Sequence, residues 1–122
     1  TLSDCSVTSC PYTTGLLISH NLLLENDVGV LLDNPADATG AAPPTPTDNV
    51  VEENAIFKSS LTNGSKTQVG VFDIGNHDRI VGNTISGRGY DPTANPGAFT
   101  RQIFADPPFA VHPVIRRNHL FP

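Results

Sequence analysis

Apolar residues along the chain fall in short runs rich in Val, Ile, Leu and Phe, and each run is bounded by Gly, Pro, Asn or Asp. Runs of this kind are typical of β-strands. No segment carries the apolar stripe that an amphipathic helix needs. We therefore predict an all-β chain with almost no helix. Its strands are expected at residues 17–23, 28–32, 50–57, 69–72, 79–85, 102–105 and 114–120.

One pattern recurs four times: an apolar residue, two others, Asn, one other and an apolar residue. The asparagines are Asn21, Asn54, Asn83 and Asn118, at separations of 33, 29 and 35 residues. Such separations are those of solenoid proteins, in which each unit stacks on its neighbours. We therefore predict a single domain over residues 1–122, built from three to four irregular coils.

A second kind of strand-like segment follows each of the first three motifs, at residues 28–32, 69–72 and 101–105. The segments between, at 34–48, 59–67 and 87–100, are rich in Gly, Pro and Asn. Because the asparagine motif resumes after each of them, we interpret them as loops of one solenoid and not as linkers between domains. The side chains expected inside the coils are Ile18, Leu23, Val28, Val30, Ile56, Val69, Val71, Ile80, Ile85, Ile103 and Leu120.

The repeated asparagines are interpreted as architecture. A sharp corner between strands leaves backbone groups that need partners. An asparagine amide both donates and accepts hydrogen bonds, tolerates the left-handed conformation, and can form a ladder with identical residues on successive coils. Ligand binding is the alternative, but a residue repeated once per coil beside apolar neighbours is more often structural.

These features resemble the right-handed parallel β-helix repeat proteins, the pectate-lyase-like solenoids. Residues 18–22 (ISHNL), 27–31 (DVGVL) and 79–87 (RIVGNTISG) are typical of that repeat, and the resemblance covers roughly residues 16–120. It implies a right-handed parallel β-helix. Members usually have many more coils, so the chain is expected to be a fragment or processed piece of a longer protein, or a short solenoid. Its open ends, residues 114–120 in particular, would associate with another copy or with the rest of the parent chain.

The same resemblance suggests a catalytic site. Lyases of this family use an acidic cluster for calcium and a basic residue that abstracts a proton, and the hydrolases pair two carboxylates. Asp73, His77, Asp78 and Arg79 bracket the turn at 74–76 and are the candidate catalytic residues, with calcium as cofactor only in a lyase. The alternative is an ordinary solvated turn. The Asn-Thr-Asp, Asp-Asp, Gly-His-Gly and Arg-Ile-Lys phrases of the hydrolases are absent.

Three further residues are candidates for ligand binding. Glu52 and Glu53 precede Asn54 one coil before the candidate turn, and they share its face if the coils stack in register. Tyr90 is the best candidate for an exposed aromatic ring on which a sugar could stack. No metal site is predicted, because the four histidines lack the spacing of metal ligands.

Charge and composition narrow the classes of partner. The net charge is −5 and the largest basic cluster is Arg116-Arg117, which excludes a nucleic-acid surface. No apolar run approaches the roughly 18 residues of a membrane-spanning helix. Few lysines among many Thr, Asn, Gly and Pro residues favour a secreted protein. Cys5 and Cys10 are expected to close a small disulfide loop, with two free thiols as the alternative.

The sequence thus favours a secreted β-helix scaffold or binding module that recognises carbohydrate or a cell-surface partner, without catalysis on this chain. The alternative is a polysaccharide lyase or glycoside hydrolase, or a fragment of one, acting on a uronate-type polymer. The residues alone leave open whether the protein is an enzyme.

Overall fold

The computed structural model describes residues 12–62 and 67–122, which form short β-strands and no helix. The predicted disulfide between Cys5 and Cys10 lies outside these residues. The strands are β1 (Leu17–Ser19), β2 (Leu22–Leu24), β3 (Val28–Asp33), β4 (Val50–Glu52), β5 (Ala55–Phe57), β6 (Thr67–Ile74), β7 (Arg79–Val81), β8 (Thr84–Ser86), β9 (Phe99–Phe104), β10 (Val114–Arg116) and β11 (His119–Leu120).

Every strand pair is parallel, and the strands form three sheets with the orders β1-β4-β7-β10, β2-β5-β8-β11 and β3-β6-β9. We call these the first, second and third sheets. Each turn of the chain adds one strand to each sheet, and β10 and β11 begin a fourth turn. The protein is a parallel β-solenoid of about three turns, which confirms the predicted fold class.

The register places the repeated apolar residues in columns that face the interior. Ile18, Val51, Ile80 and Ile115 form the inner column of the first sheet. Leu23, Ile56, Ile85 and Leu120 form that of the second sheet. The middle members are almost completely buried, and burial of one such side chain contributes about 1.5–3 kcal/mol. The core therefore runs the length of the stack.

Every predicted inner position except Leu120 is buried or half-buried. Leu120 is 47% exposed although it continues the inner column, because no further turn of the described residues covers it. The prediction that Leu120 is buried is therefore wrong. Its side chain points inward as expected, but it lies at the end of the stack.

Each predicted strand around an asparagine is in fact two strands that meet at a corner. The left-handed residue of the corner is the one before the asparagine, with φ of 57° at His20, 53° at Glu53, 68° at Gly82 and 57° at Arg117. The asparagine tolerates this conformation but does not adopt it here. The left-handed residue turns the chain, and the asparagine that follows points its amide into the stack.

The predicted asparagine ladder is confirmed. The backbone N–H and Nδ2 of Asn21 both donate to Oδ1 of Asn54 at 3.0 Å. Asn54 donates in the same way to Asn83, and Asn83 to Asn118. Because Asn54 and Asn83 are buried, these bonds supply the partners that the corner would otherwise lack.

Candidate functional site

A second corner, between the third and first sheets, carries the candidate catalytic residues. Its left-handed residues are Gly15, Asp48, His77 and His112, with φ of 64°, 52°, 61° and 52°. The residue after each one, at positions 16, 49, 78 and 113, occupies the place that the asparagines hold at the first corner.

Asn49 and Asp78 extend a second ladder up this corner. Oδ1 of Asn49 accepts the Leu16 N–H at 3.0 Å, and Oδ1 of Asp78 accepts the Asn49 N–H at 2.7 Å. The same Asp78 oxygen accepts the hydroxyl of Thr47 at 2.6 Å. Asp78 is therefore a structural acceptor, equivalent to an asparagine of the first ladder.

Asp73, the residue before the end of β6, points into the same corner. Asp73 and Asp78 are both 0% exposed. A Cβ placed on Gly75 would lie 2.8 Å from Oδ1 of Asp73 and would overlap Oδ2 of Asp78, so the glycine leaves room for two adjacent carboxyl groups. Neither oxygen of Asp73 accepts a hydrogen bond from an N–H or a hydroxyl group of the described residues.

Burial, followed by the neighbouring charge of Asp78 and a hydrogen bond between the two carboxyl groups, raises the pKa of Asp73 to about 8. Asp73 therefore keeps its proton at neutral pH and shares it with Asp78. The alternative interpretation of these two residues as a solvated turn is wrong.

The other two candidate residues lie on the outside. His77 is exposed at the corner, and its ring centroid is 4.7 Å from that of His112 one turn later. Arg79 begins β7 and is exposed on the outer face of the first sheet. The structure therefore separates the four candidates into a buried pair of acids and two surface residues.

The two candidate glutamates lie in different environments. Glu52 is half-buried in β4 and lies opposite Val81, so it shares the outer face of the first sheet with Arg79. Glu53 occupies the left-handed position of the first corner, where its Oε2 is 2.6 Å from Nε2 of His20. Both partners of that pair are well exposed, so its contribution to stability is small.

Tyr90 is 0% exposed, and the expectation that it offers an exposed ring is wrong. Its hydroxyl donates to the carbonyl oxygen of Asn26 at 2.7 Å. Burial, followed by the charges of Glu25 and Asp27, raises the pKa of Tyr90 to about 12. The ring packs into the core from a loop, so it has no face to offer a sugar.

Sequence reasoning missed Lys58, which lies near Tyr90 and is 2% exposed. Its Nζ is 3.1 Å from Oδ1 of Asp27 and donates to the hydroxyl of Thr62 at 2.8 Å. A Cβ on Gly89 would come within 2.5 Å of Cγ of Lys58, so the loop of Tyr90 lies directly on the lysine stem. Only the tertiary structure places this cation under the loop.

Sequence reasoning also missed the second corner, although a signal for it exists. Asn49 and Asp78 are 29 residues apart, as are Asn54 and Asn83, and each of the first pair directly precedes a strand of the first sheet. A search for a second series of Asn or Asp residues, at the same spacing as the first, would have found this corner.

A metal site has little support in this geometry. Over residues 12–62 and 67–122 there is no group of three or more His, Cys, Asp or Glu side chains arranged to hold a metal ion. The carboxyl pair by itself does not supply the six to eight oxygen ligands that calcium takes. No helix in the described part of the chain is long and apolar enough to cross a membrane.

Comparison of the chain with protein-family models, with curated proteins and with solved structures found no match in any of the three. The fold itself defines the class of protein, a short parallel β-solenoid.

Proposed function

We propose that the chain is a secreted, non-catalytic binding module of the right-handed, pectate-lyase-like β-helix kind, which recognises carbohydrate or another cell-surface molecule. The observation that carries the proposal is the complete burial of Asp73 and Asp78. A general acid or base must reach the proton that it transfers, directly or through one water molecule. Asp78, held inside the corner by hydrogen bonds from Thr47 and Asn49, and Asp73 beside it serve the fold instead.

The outer face of the second sheet is the best binding surface. On its first two turns Leu22 is 67% exposed, Leu24 is 53% exposed and Phe57 is 40% exposed. Leu24 lies directly opposite Phe57, and Leu22 opposite the exposed Ala55. We call these four residues the Leu22 face. A partly exposed aromatic ring within a flat apolar face is suited to stacking on a sugar ring, and such a face also suits a protein partner.

A thermal-shift screen of the purified chain against neutral and uronate oligosaccharides, each with and without calcium, tests the proposal. A ligand that binds the folded state stabilises it by about 2.7 kcal/mol at a hundredfold excess over its dissociation constant. We expect a shift with at least one oligosaccharide that the Phe57→Ser variant loses. Leu17→Ser is the matched control, because Leu17 is 58% exposed on the first sheet.

The outcomes separate the two kinds of ligand. Equal loss of the thermal shift in Phe57→Ser and Leu17→Ser would show that the Leu22 face is not the binding surface. A cooperative melt that no oligosaccharide shifts would reject carbohydrate, and the same two variants then test binding to cell-surface proteins.

The second candidate function is a polysaccharide lyase or hydrolase. It is favoured by Arg79 and Glu52 on one outer face, with His77 at the adjoining corner. Release of unsaturated product from a uronate polymer, lost in Arg79→Ala but retained in Arg101→Ala, would support it. Asp78→Ala is a poor probe, since it removes a buried acceptor of the corner. Inactivity of the unaltered chain on all uronate polymers would count against it.

A further inference from the structure

We propose that the last turn of the solenoid binds the first turn of a second copy of this chain, head to tail. The proposal concerns the edges of the first and second sheets and is independent of the ligand bound by the Leu22 face. The edge formed by β10 and β11 is called the terminal edge.

The core is open at the terminal edge. β10 and β11 are the last strands of their sheets, so one side of each has no partner strand among the described residues. The inner residues Ile115 and Leu120 are 46% and 47% exposed, whereas Ile80 and Ile85, one turn earlier in the same columns, are 0% exposed. An uncovered parallel edge with apolar inner residues favours the addition of further strands.

The first turn has the matching pattern. β1 and β2 are the opposite outer strands of the same two sheets. Their inner residues, Ile18 and Leu23, are only half-buried. A second copy stacked in the existing register would place its Ile18 on Ile115 and its Leu23 on Leu120. Both apolar columns would then continue without a break.

The asparagine ladder is complementary at its two ends. At each step the backbone N–H and the amide of one asparagine donate to Oδ1 of the asparagine one turn later. At the terminal edge the backbone N–H of Asn118 meets no acceptor among the described residues. At the first turn, Oδ1 of Asn21 receives no donor from them. Asn118 of one copy can therefore donate to Asn21 of the next.

The second corner matches as well. Its ladder runs from the Leu16 N–H to Asn49 and from the Asn49 N–H to Asp78. The equivalent residue of the last turn is Pro113, which has no N–H to donate. A second copy would place Leu16 there, and leucine has no side-chain acceptor. At the first corner, Asn118 has a donor and the next copy provides an acceptor. At the second corner, the next copy provides no acceptor, and Pro113 has no N–H that would be left unpaired.

These features favour head-to-tail stacking over pairing of two terminal edges. Two terminal edges facing each other would oppose one Asn118 N–H to another, with no acceptor between them. They would also pair the strands antiparallel, unlike every pair within the chain. The third sheet is not continued, because it ends at β9. A head-to-tail contact does not close on itself, so the expected product is an open-ended stack.

Sedimentation and light scattering of the full 122-residue chain over a wide concentration range test this, with electron microscopy of the concentrated sample. We expect mass to increase with concentration beyond the dimer, with unbranched rods one solenoid wide. Leu120→Asp should block the terminal edge, and Leu23→Asp should block the first turn. Each variant by itself should remain monomeric. Leu31→Asp, on the outer face of the third sheet, is the matched control and should still form stacks.

Mixing the two blocked variants is the decisive step. Each retains one competent end, so the mixture should form dimers of one copy of each and nothing larger. A circular-dichroism melt shows whether each variant is folded. Ile115→Asp replaces an unfolded Leu120→Asp, and Ile18→Asp replaces an unfolded Leu23→Asp. A chain that stays monomeric at every concentration would overturn the proposal. A dimer that stops at two copies and survives Leu23→Asp would do so too, because it would join two terminal edges.

Discussion

The carboxyl groups of Asp73 and Asp78 meet in the space that a side chain on Gly75 would occupy, inside the corner between the third and first sheets. Asp78 accepts hydrogen bonds from Thr47 and Asn49, whereas Asp73 has only the other carboxyl group as a polar partner among the described residues. The pair therefore holds one proton between two acids, and the stability of the fold depends on pH through Asp73.

The sign of that dependence follows from the raised pKa. The pKa of Asp73 is about 8 in the folded chain against 3.8 for an ordinary aspartate, so the folded state retains a proton that the unfolded state releases. The free energy of unfolding should fall as the pH rises from about 4 to about 8. The slope of the free energy of unfolding against pH approaches about 1.4 kcal/mol per pH unit. The stabilisation that the retained proton contributes is fully present below about pH 4. Urea unfolding at several pH values measures it.

Asp73→Asn should remove most of this dependence, because an amide donates to Asp78 at every pH. The variant should be more stable than the unaltered chain at pH 8 and similar to it at pH 4. Asp33→Asn, in the preceding turn at an exposed position, is the control and should retain the slope. An unchanged slope in Asp73→Asn would show that another group is responsible.

Gly75→Ala should destabilise the chain, since the new methyl group would overlap Oδ2 of Asp78 and crowd Asp73. We expect a loss of about 3 kcal/mol, at the upper end of the usual cost of overpacking. Gly82→Asn should cost less than about 1 kcal/mol, because His20, Glu53 and Arg117 occupy the same left-handed position in other turns. Chemical denaturation of both variants gives the comparison, and equal losses would contradict it.

The ladder should be more sensitive in its middle than at its end. Asn83→Ala removes the acceptor of the Asn54 N–H and the donor to the Val51 carbonyl oxygen, both of them buried. At about 1–3 kcal/mol for each unpaired buried group, the expected loss is about 2–6 kcal/mol. Asn21→Ala, at the exposed first step, should cost less than about 1 kcal/mol. Equal effects on the midpoint of unfolding would mean that the ladder contributes little.

Tyr90 should anchor its loop through both ring and hydroxyl. Tyr90→Phe removes the hydrogen bond to Asn26 and should cost about 1 kcal/mol, while Tyr90→Ala should cost about 3–5 kcal/mol because it leaves a cavity in the core. Tyr12→Phe, at a half-buried position, is the control for loss of a tyrosine hydroxyl. Thermal unfolding followed by circular dichroism measures all three, and a Tyr90→Ala variant as stable as Tyr90→Phe would show that the ring is not part of the core.

The sequence by itself determined the coil. An asparagine between apolar residues, repeated at nearly constant spacing, is a local pattern, and each copy forms the same corner because its neighbours in the chain are equivalent. The inner columns, the three kinds of strand and the positions of the loops follow from that repeat. So does the ladder, since residues at equal steps along a solenoid lie on top of one another.

Only the tertiary structure decided what the other polar residues do. Asp73 and Asp78 look like turn residues, and they become a buried acid pair because two strands of different sheets converge on Gly75. Tyr90 lies in a Gly-rich loop that could face solvent, and it is buried because that loop folds over Lys58 and reaches Asn26. Burial depends on contacts between residues far apart in the chain, such as the 64 positions from Tyr90 to Asn26, and no local pattern carries that information.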